Sequence, residues 1–427
     1  MLSRIVHNSP QLCSFLDSLI ENLSQPQRQH LRDLCDAILV CEGEHTIARL
    51  QRQFVETTDA SNWADFLRIS PWDANGVRAR LLPSQIEWAC EQAEKSGQAK
   101  EVYLNIDDSL GEKDRATWRL EAVDFHHDHT ESTPGKKRYK NGFCYLACTM
   151  CIGEIVVTLD VRLYLRARTV RAINRHRVPE ERLHFRSKNT IARQMLQRIA
   201  PLLPPDWPVI VQFDSWYASK KILKFVHRQK WEITCGVKSN RKLNGVRLDQ
   251  HHRQLRHKWH TRVSVATAEG EESYYVRQVD GRLEELPFDL CVLITKRRLG
   301  QNNPTYYAST RLDCKPQAIL QGYVERWSCE VVNFYLKTQL GLSDFRLWSY
   351  EAVDKYVVAV HLAWAYVERR FVKERSGQIK CYGDLIRRHR DEHAEAWLKA
   401  AVEMAQEDGT TIDQVLQRFL GREPEAE

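Results

Sequence analysis

Two segments of this chain repeat one pattern, and the repetition narrows the folds open to it. Val102-Tyr-Leu-Asn-Ile-Asp107-Asp108-Ser109 and Val209-Ile-Val-Gln-Phe-Asp214-Ser215 each run apolar, polar, apolar, Asp towards their ends. Side chains alternate across a β-strand with a period of two, so Asn105 shares a face with Asp107 and Gln212 shares one with Asp214. Both strands therefore end by presenting a carboxylate on their polar side, which favours Asp107 over Asp108 as the first candidate. The plainer reading is a strand end with a helix-capping Asp. It applies above all to Asp214, which precedes Ser215-Trp-Tyr and the helical pattern Ser219–Gln229.

A third carboxylate sits on the helical stretch Tyr323-Val-Glu-Arg-Trp-Ser-Cys-Glu-Val-Val-Asn-Phe-Tyr-Leu-Lys337. At 100° per residue, with Tyr323 at zero, Arg326 falls at about −60°, Glu330 at about −20° and Lys337 at about −40°. Val324, Val331 and Tyr335 take a separate apolar face near ~80–120°. One acid between two cations along a rod suits a metal ligand in a phosphate-binding track; a solvated charged face is the alternative.

The spacing Tyr, two residues, Arg, three residues, Glu, six residues, Lys resembles the YREK signature of a branch of bacterial insertion-sequence transposases of the DDE class. Ser109 after the first Asp, Asp59-Ala-Ser-Asn-Trp-Ala-Asp-Phe-Leu, Ser70-Pro-Trp-Asp and Leu340-Gly-Leu-Ser-Asp-Phe-Arg346 extend the resemblance over most of residues 59–370. It implies that Asp107, Asp214 and Glu330 are the catalytic carboxylates and hold two Mg²⁺ ions, with Mn²⁺ as a substitute. It implies that Tyr323, Arg326 and Lys337 bind DNA. The partners it implies are double-stranded transposon ends and target DNA, with a homodimer pairing the two ends. By the same resemblance, one site hydrolyses the ends and then joins them to the target. A ribonuclease-H-like nuclease without strand transfer and a domesticated DNA-binding regulator are the competing readings.

The order of elements agrees with a ribonuclease-H-like α/β core. Strands at 102–109, 143–151 and 154–165 precede a helix at 190–203, a strand at 209–215, a helix at 219–229 and a strand at 231–237. The expected organisation is a helical DNA-binding region over 1–99, the first part of the core over 100–238 and a β-rich insertion over 239–311. The catalytic helix and end of the core follow over 312–372, and a helical C-terminal region covers 373–427. In the first region short helices end with one at 73–82, and Arg49, Arg52 and Arg68 suit a helix-turn-helix-type reader; a packing bundle is the alternative.

Charge and cysteine usage fit these readings. The 63 Lys and Arg exceed the 56 Asp and Glu by seven, and Arg166–Arg198 holds ten cations against Glu180 and Glu181. Such a cluster reads as phosphate-backbone contact. The twelve cysteines form no even framework, and Cys148-Thr-Met-Cys151 lacks a second pair for zinc, so these thiols are expected reduced and buried in a strand. His251, His252, His257 and His260, interleaved with Arg253, Arg256 and Lys258, read as a DNA-facing surface, with metal binding the alternative. Trp216, Trp327, Tyr306 and Tyr307 are candidates for stacking on a displaced base, with core packing the alternative. Met1-Leu-Ser-Arg begins no apolar leader, which points to a cytoplasmic, nucleoid-associated protein with no membrane span. The tail Glu423–Glu427 reads as disordered.

Overall fold

The computed structural model describes residues 4–56, 59–133, 135–254, 260–267, 270–407 and 409–420. The first region is helical, with α1 (Pro10–Asp17), α2 (Gln25–Val40), α3 (Ile47–Gln51), α4 (Ala60–Arg68) and α5 (Ala74–Lys95). Most begin at a residue that offers a side-chain oxygen to a free N–H, such as Thr46 before α3 and Asp59 before α4. The helix expected to stop at Leu82 instead runs through Pro83 to Lys95. Proline removes the hydrogen bond to the carbonyl one turn back. Burial of Ile86, Ala89 and Ala93 against the sheet outweighs that loss, and Arg369 donates to the Ser84 carbonyl at 2.7 Å.

Next comes the core sheet. β1 (Val102–Glu112) is followed by β2 (Asp124–Thr133), β3 (Lys136–Ile152) and β4 (Ile155–Tyr164). Helices α6 (Ala167–Asn174) and α7 (Lys188–Ile199) lead to β5 (Val209–Phe213), and α8 (Lys220–Arg228) leads to β6 (Glu232–Gly236). The spatial order β4-β3-β1-β5-β6 is antiparallel as far as β1 and parallel from there on. This is a ribonuclease-H-like arrangement with helices at both termini. β5 is buried along its whole length, as a parallel strand covered on both faces must be. Cys148 and Cys151 lie buried in β3 as small apolar side chains. β2 escapes sequence patterning because nearly all its residues are charged or polar, and α6 because it is only 8 residues long.

The β-rich segments then lengthen this sheet at its open edge. A hairpin of β7 (Lys242–Leu243) and β8 (Val246–Arg247) turns at Asn244-Gly245, whose φ values of 50° and 82° are those of a primed turn. After α9 (Leu248–Gln254) come β9 (Thr261–Thr267), β10 (Gly270–Gly281), β11 (Leu290–Lys296) and β12 (Thr305–Ser309). β12 pairs with β6 and extends the core to a ten-stranded sheet among the described residues.

The chain closes with α10 (Pro316–Tyr323), α11 (Trp327–Thr338), α12 (Tyr350–Glu374), α13 (Tyr382–Ala405) and α14 (Ile412–Leu420). α12 is buried almost all round, which marks a core helix. It packs on α2, α4, α5, α13 and β4, so the N-terminal and C-terminal helices share one apolar core around it. Where β4 bulges against β3, the Thr158 N–H turns to Glu368 of α12 at 2.8 Å, and its hydroxyl donates to the same carboxyl at 2.7 Å. Among the described residues no helix is long and apolar enough to cross a membrane. The tail 423–427 lies outside the described residues, as do Arg256, His257 and Lys258.

Candidate active site

β1 and β5 are adjacent and parallel, with Asn105 level with Gln212. Asp107 and Asp214 therefore follow side by side at the carboxyl ends of neighbouring strands. Asp107 turns towards α11, where its Oδ2 accepts from Arg326 Nη1 at 3.1 Å. Asp108 turns to the opposite face and accepts from the Tyr217 hydroxyl and Lys188 Nζ, both at 2.5 Å. Pleating alone separates the two neighbours. Asp214 takes the Trp216 N–H at 2.9 Å and does not cap α8, whose N-cap is Ser219 instead.

The helix that carries the third carboxylate is not the single rod the sequence suggests. α10 ends at Tyr323, residues Val324–Arg326 form a 3₁₀ turn, and α11 starts at Trp327. Residues three apart eclipse in a 3₁₀ turn. Arg326 is accordingly drawn over Tyr323, with its guanidinium carbon 5.6 Å from the ring centroid. The physical reason for the break lies in the sheet. Gln212 donates to the Gly322 carbonyl at 2.8 Å, and Asn105 donates to the Glu325 carbonyl and the Ser328 hydroxyl, each at 3.1 Å. Thr149 holds the Ser328 hydroxyl from β3 at 2.8 Å. The polar residue two before each aspartate is thus the one that docks the helix. Sequence reasoning noticed Asn105 and Gln212 but gave them no task; Ser328 and Thr149 it missed, having no pattern to mark them.

This docking brings Glu330 to the aspartates. Arg326 Nη1 lies 3.5 Å from Glu330 Oε1 as well as 3.1 Å from Asp107, so one guanidinium spans two carboxylates. Burial pushes the Asp107 carboxyl up to about 7; Arg326 opposes the shift, while Glu330, Asp108 and Asp214 add to it. Burial also raises Asp214. With Asp108 paired to Lys188 on the other face, Asp107, Asp214 and Glu330 are left with one nearby arginine, which leaves an excess of negative charge. The three candidate carboxylates are not all gathered within 4.8 Å, since Arg326 stands between two of them. Oxygen-only donors on a partly exposed cleft suit a hard divalent cation.

The other candidates separate clearly. Tyr323 is packed edge-on against Tyr307 at 4.9 Å and donates its hydroxyl to the Phe213 carbonyl at 3.3 Å, just before Asp214. Lys337 makes no ion pair among the described residues; burial lowers its pKa, against the charges of Glu330 and Glu112. Trp327 is 57 % exposed and Trp216 45 %, so both offer a face to a ligand, whereas Tyr306 is buried and Tyr307 is half-buried against Tyr323. Arg171, Arg175, Arg182 and Arg186 form an exposed basic stretch from α6 to the start of α7. Arg52 and Arg68 are exposed on the N-terminal helices, Arg68 paired with Asp65 at 2.8 Å.

Comparison with protein families agrees with this architecture. The model described as DDE superfamily endonuclease matches residues 18–269, and the one described as transposase DDE domain matches residues 186–366. The first covers more than half of the chain, and the chain belongs to the DDE superfamily endonucleases. Within that superfamily it is a DDE-class transposase, an enzyme class that acts on DNA and generally uses divalent metal ions. No individual curated protein gives a match.

Proposed function

We propose that this chain is a transposase of the YREK branch that cleaves the ends of an insertion sequence and joins them to target DNA. The observation that carries the reading is the docking of the α10–α11 segment, through Asn105 and Gln212, onto the two strands whose ends hold Asp107 and Asp214. That docking supports Asp107, Asp214 and Glu330 as the catalytic carboxylates and metal ligands. Two Mg²⁺ ions, or Mn²⁺, would activate a water or a DNA 3′-hydroxyl and stabilise the leaving oxygen. The chain's own part is to hold the oxygens in place and to neutralise phosphate charge. Arg326, held between Asp107 and Glu330, is free to turn onto a phosphate once those acids have another cation. Tyr323 braces the end of β5 through the Phe213 carbonyl and lies beside the same track. Residues 1–99 would bind the ends through Arg52 and Arg68, and two copies would pair the ends.

The test uses the full chain, duplexes cut from the inverted repeats flanking its gene, and a supercoiled plasmid. The expected result is Mg²⁺-dependent cleavage at the repeat termini followed by joined product. Cleavage without joining would leave a nuclease, and binding without either would leave a regulator.

The two cations make separable contributions. Arg326→Ala and Lys337→Ala should slow single-turnover joining on pre-bound ends by about 10²–10³-fold, because a charge aligned with the transition state affects rate. Affinity should change little, since each is one contact among many. Arg326→Lys should lose more than Lys337→Arg, because a planar fork holds two oxygens and an ammonium does not. Wild-type joining rates in both alanine variants would reduce the stripe to a solvated helix face.

A further inference from the structure

Outside the carboxylate site, helix α13 buries a cluster that the DNA chemistry does not use. His389 and His393, one turn apart, both direct Nε2 at Oδ1 of Asp36 on α2, at 2.8 and 2.9 Å. Asp36 is 0 % exposed, His389 2 % and His393 4 %. The other Asp36 oxygen is held by the Ser9 N–H at 2.7 Å, just before α1. All three ligand atoms lie within 4.8 Å of one another.

One ring nitrogen of this cluster is left without a partner. A neutral imidazole has one N–H and one lone pair. His389 Nδ1 is buried without a hydrogen-bond partner, and the nearest acid is Glu392, whose Oε2 lies 3.9 Å away. Two imidazoles converge on one carboxylate oxygen, and each turns towards it the ring nitrogen that a metal ion would take.

We infer that Asp36, His389 and His393 bind a structural divalent metal ion of the zinc class. Histidines four apart on a helix place two imidazole nitrogens on one ion, and a carboxylate is an accepted third ligand. Nitrogen donors select zinc over magnesium, which separates this site from the all-oxygen site. Glu392, anchored by Arg370 at 2.9 Å, stands where an outer acceptor orients a ligating histidine. The Ser9 N–H keeps Asp36 to one ligating oxygen. The fourth tetrahedral position is open to water. Zinc bonds of ~2.0–2.1 Å set ligand atoms about 3.3 Å apart, so the ligands need to open by roughly 0.5 Å, which side-chain torsions supply. The ion staples α13 to α2 and α1 across the shared core. This inference does not depend on the proposed strand-transfer activity.

The experiment measures metal on the full-length protein grown with zinc and dialysed without chelator. We expect one zinc per chain, kept in the Asp107→Asn/Glu330→Gln variant and lost in His389→Gln/His393→Gln. Cobalt exchanged for zinc should give the strong visible absorption of a tetrahedral site, and His393→Cys should add a thiolate-to-cobalt charge-transfer band. Chelation should lower the melting temperature by several degrees, restored by zinc. A wild-type protein with no bound zinc, no tetrahedral cobalt spectrum and a melting temperature indifferent to zinc and chelator would overturn the inference. So would zinc retained by the double histidine variant.

Discussion

Asp107→Ala, Asp214→Ala and Glu330→Ala are each expected to lower DNA cleavage by about 10³-fold or more while leaving end binding near wild type. Groups that act as one catalytic unit fail together when any member is removed. Binding, in contrast, rests on the spread of basic side chains over phosphates. Strand-cleavage gels measure the first quantity and band shifts the second. Asp108→Asn is the informative control, because Asp108 faces Lys188 and Tyr217 on the other side of the sheet. It should retain measurable cleavage. A dead Asp108→Asn beside an active Asp107→Ala would reverse the assignment. The same site has a pH signature. With the Asp107 carboxyl raised to about 7 by burial and by neighbouring acids, a divalent ion must displace a proton to bind. Divalent-ion affinity should therefore strengthen as pH rises from 6 to 8, and Asp107→Asn should flatten the trend.

The second large effect concerns stability. Glu368 is fully buried, and burial raises its carboxyl to about 8, against the pull of its bonds to Thr158. A carboxyl whose folded value lies above its unfolded one binds its proton more tightly when folded. The stability it contributes is complete below about pH 4.5 and is lost as pH rises through about 8. The loss amounts to a few kcal/mol, since each tenfold gain in proton affinity on folding corresponds to about 1.4 kcal/mol. Glu368→Gln keeps an acceptor for the Thr158 N–H and has no charge to bury, so it should be more stable than wild type at pH 9. Glu368→Ala leaves that N–H unpaired and a cavity behind, at a cost of about 3 kcal/mol or more. Urea unfolding from pH 5 to 9 measures the difference between wild type and Glu368→Gln. A difference that stays constant over that range would show that Glu368 is not the titrating group.

Much of the candidate site's geometry was legible because local chemistry writes it into short stretches. Alternation along Val102–Ser109 places Asp107, not Asp108, on the face of Asn105, and that is the face that meets Arg326. The repeated polar residue before each aspartate was visible as a pattern, yet its purpose was not. Asn105 and Gln212 act on carbonyls of Gly322 and Glu325, more than a hundred residues away. For the same reason the interruption at Val324–Arg326 left no trace in a sequence whose residues all tolerate an α-helix.

By itself the sequence determined which residues alternate on a strand, where apolar periodicity makes helices, and which four residue types recur at the spacing of Tyr323, Arg326, Glu330 and Lys337. Those are short-range properties, set by backbone geometry within a few residues. Only the tertiary structure decided that the strands after residue 260 extend the core sheet through β12, and that α12 merges both termini into one core. It also decided that Asp36 meets two histidines more than 350 positions later. Such contacts depend on which buried groups find partners once the chain has closed on itself, because an unpaired polar group inside costs more than any local preference can return.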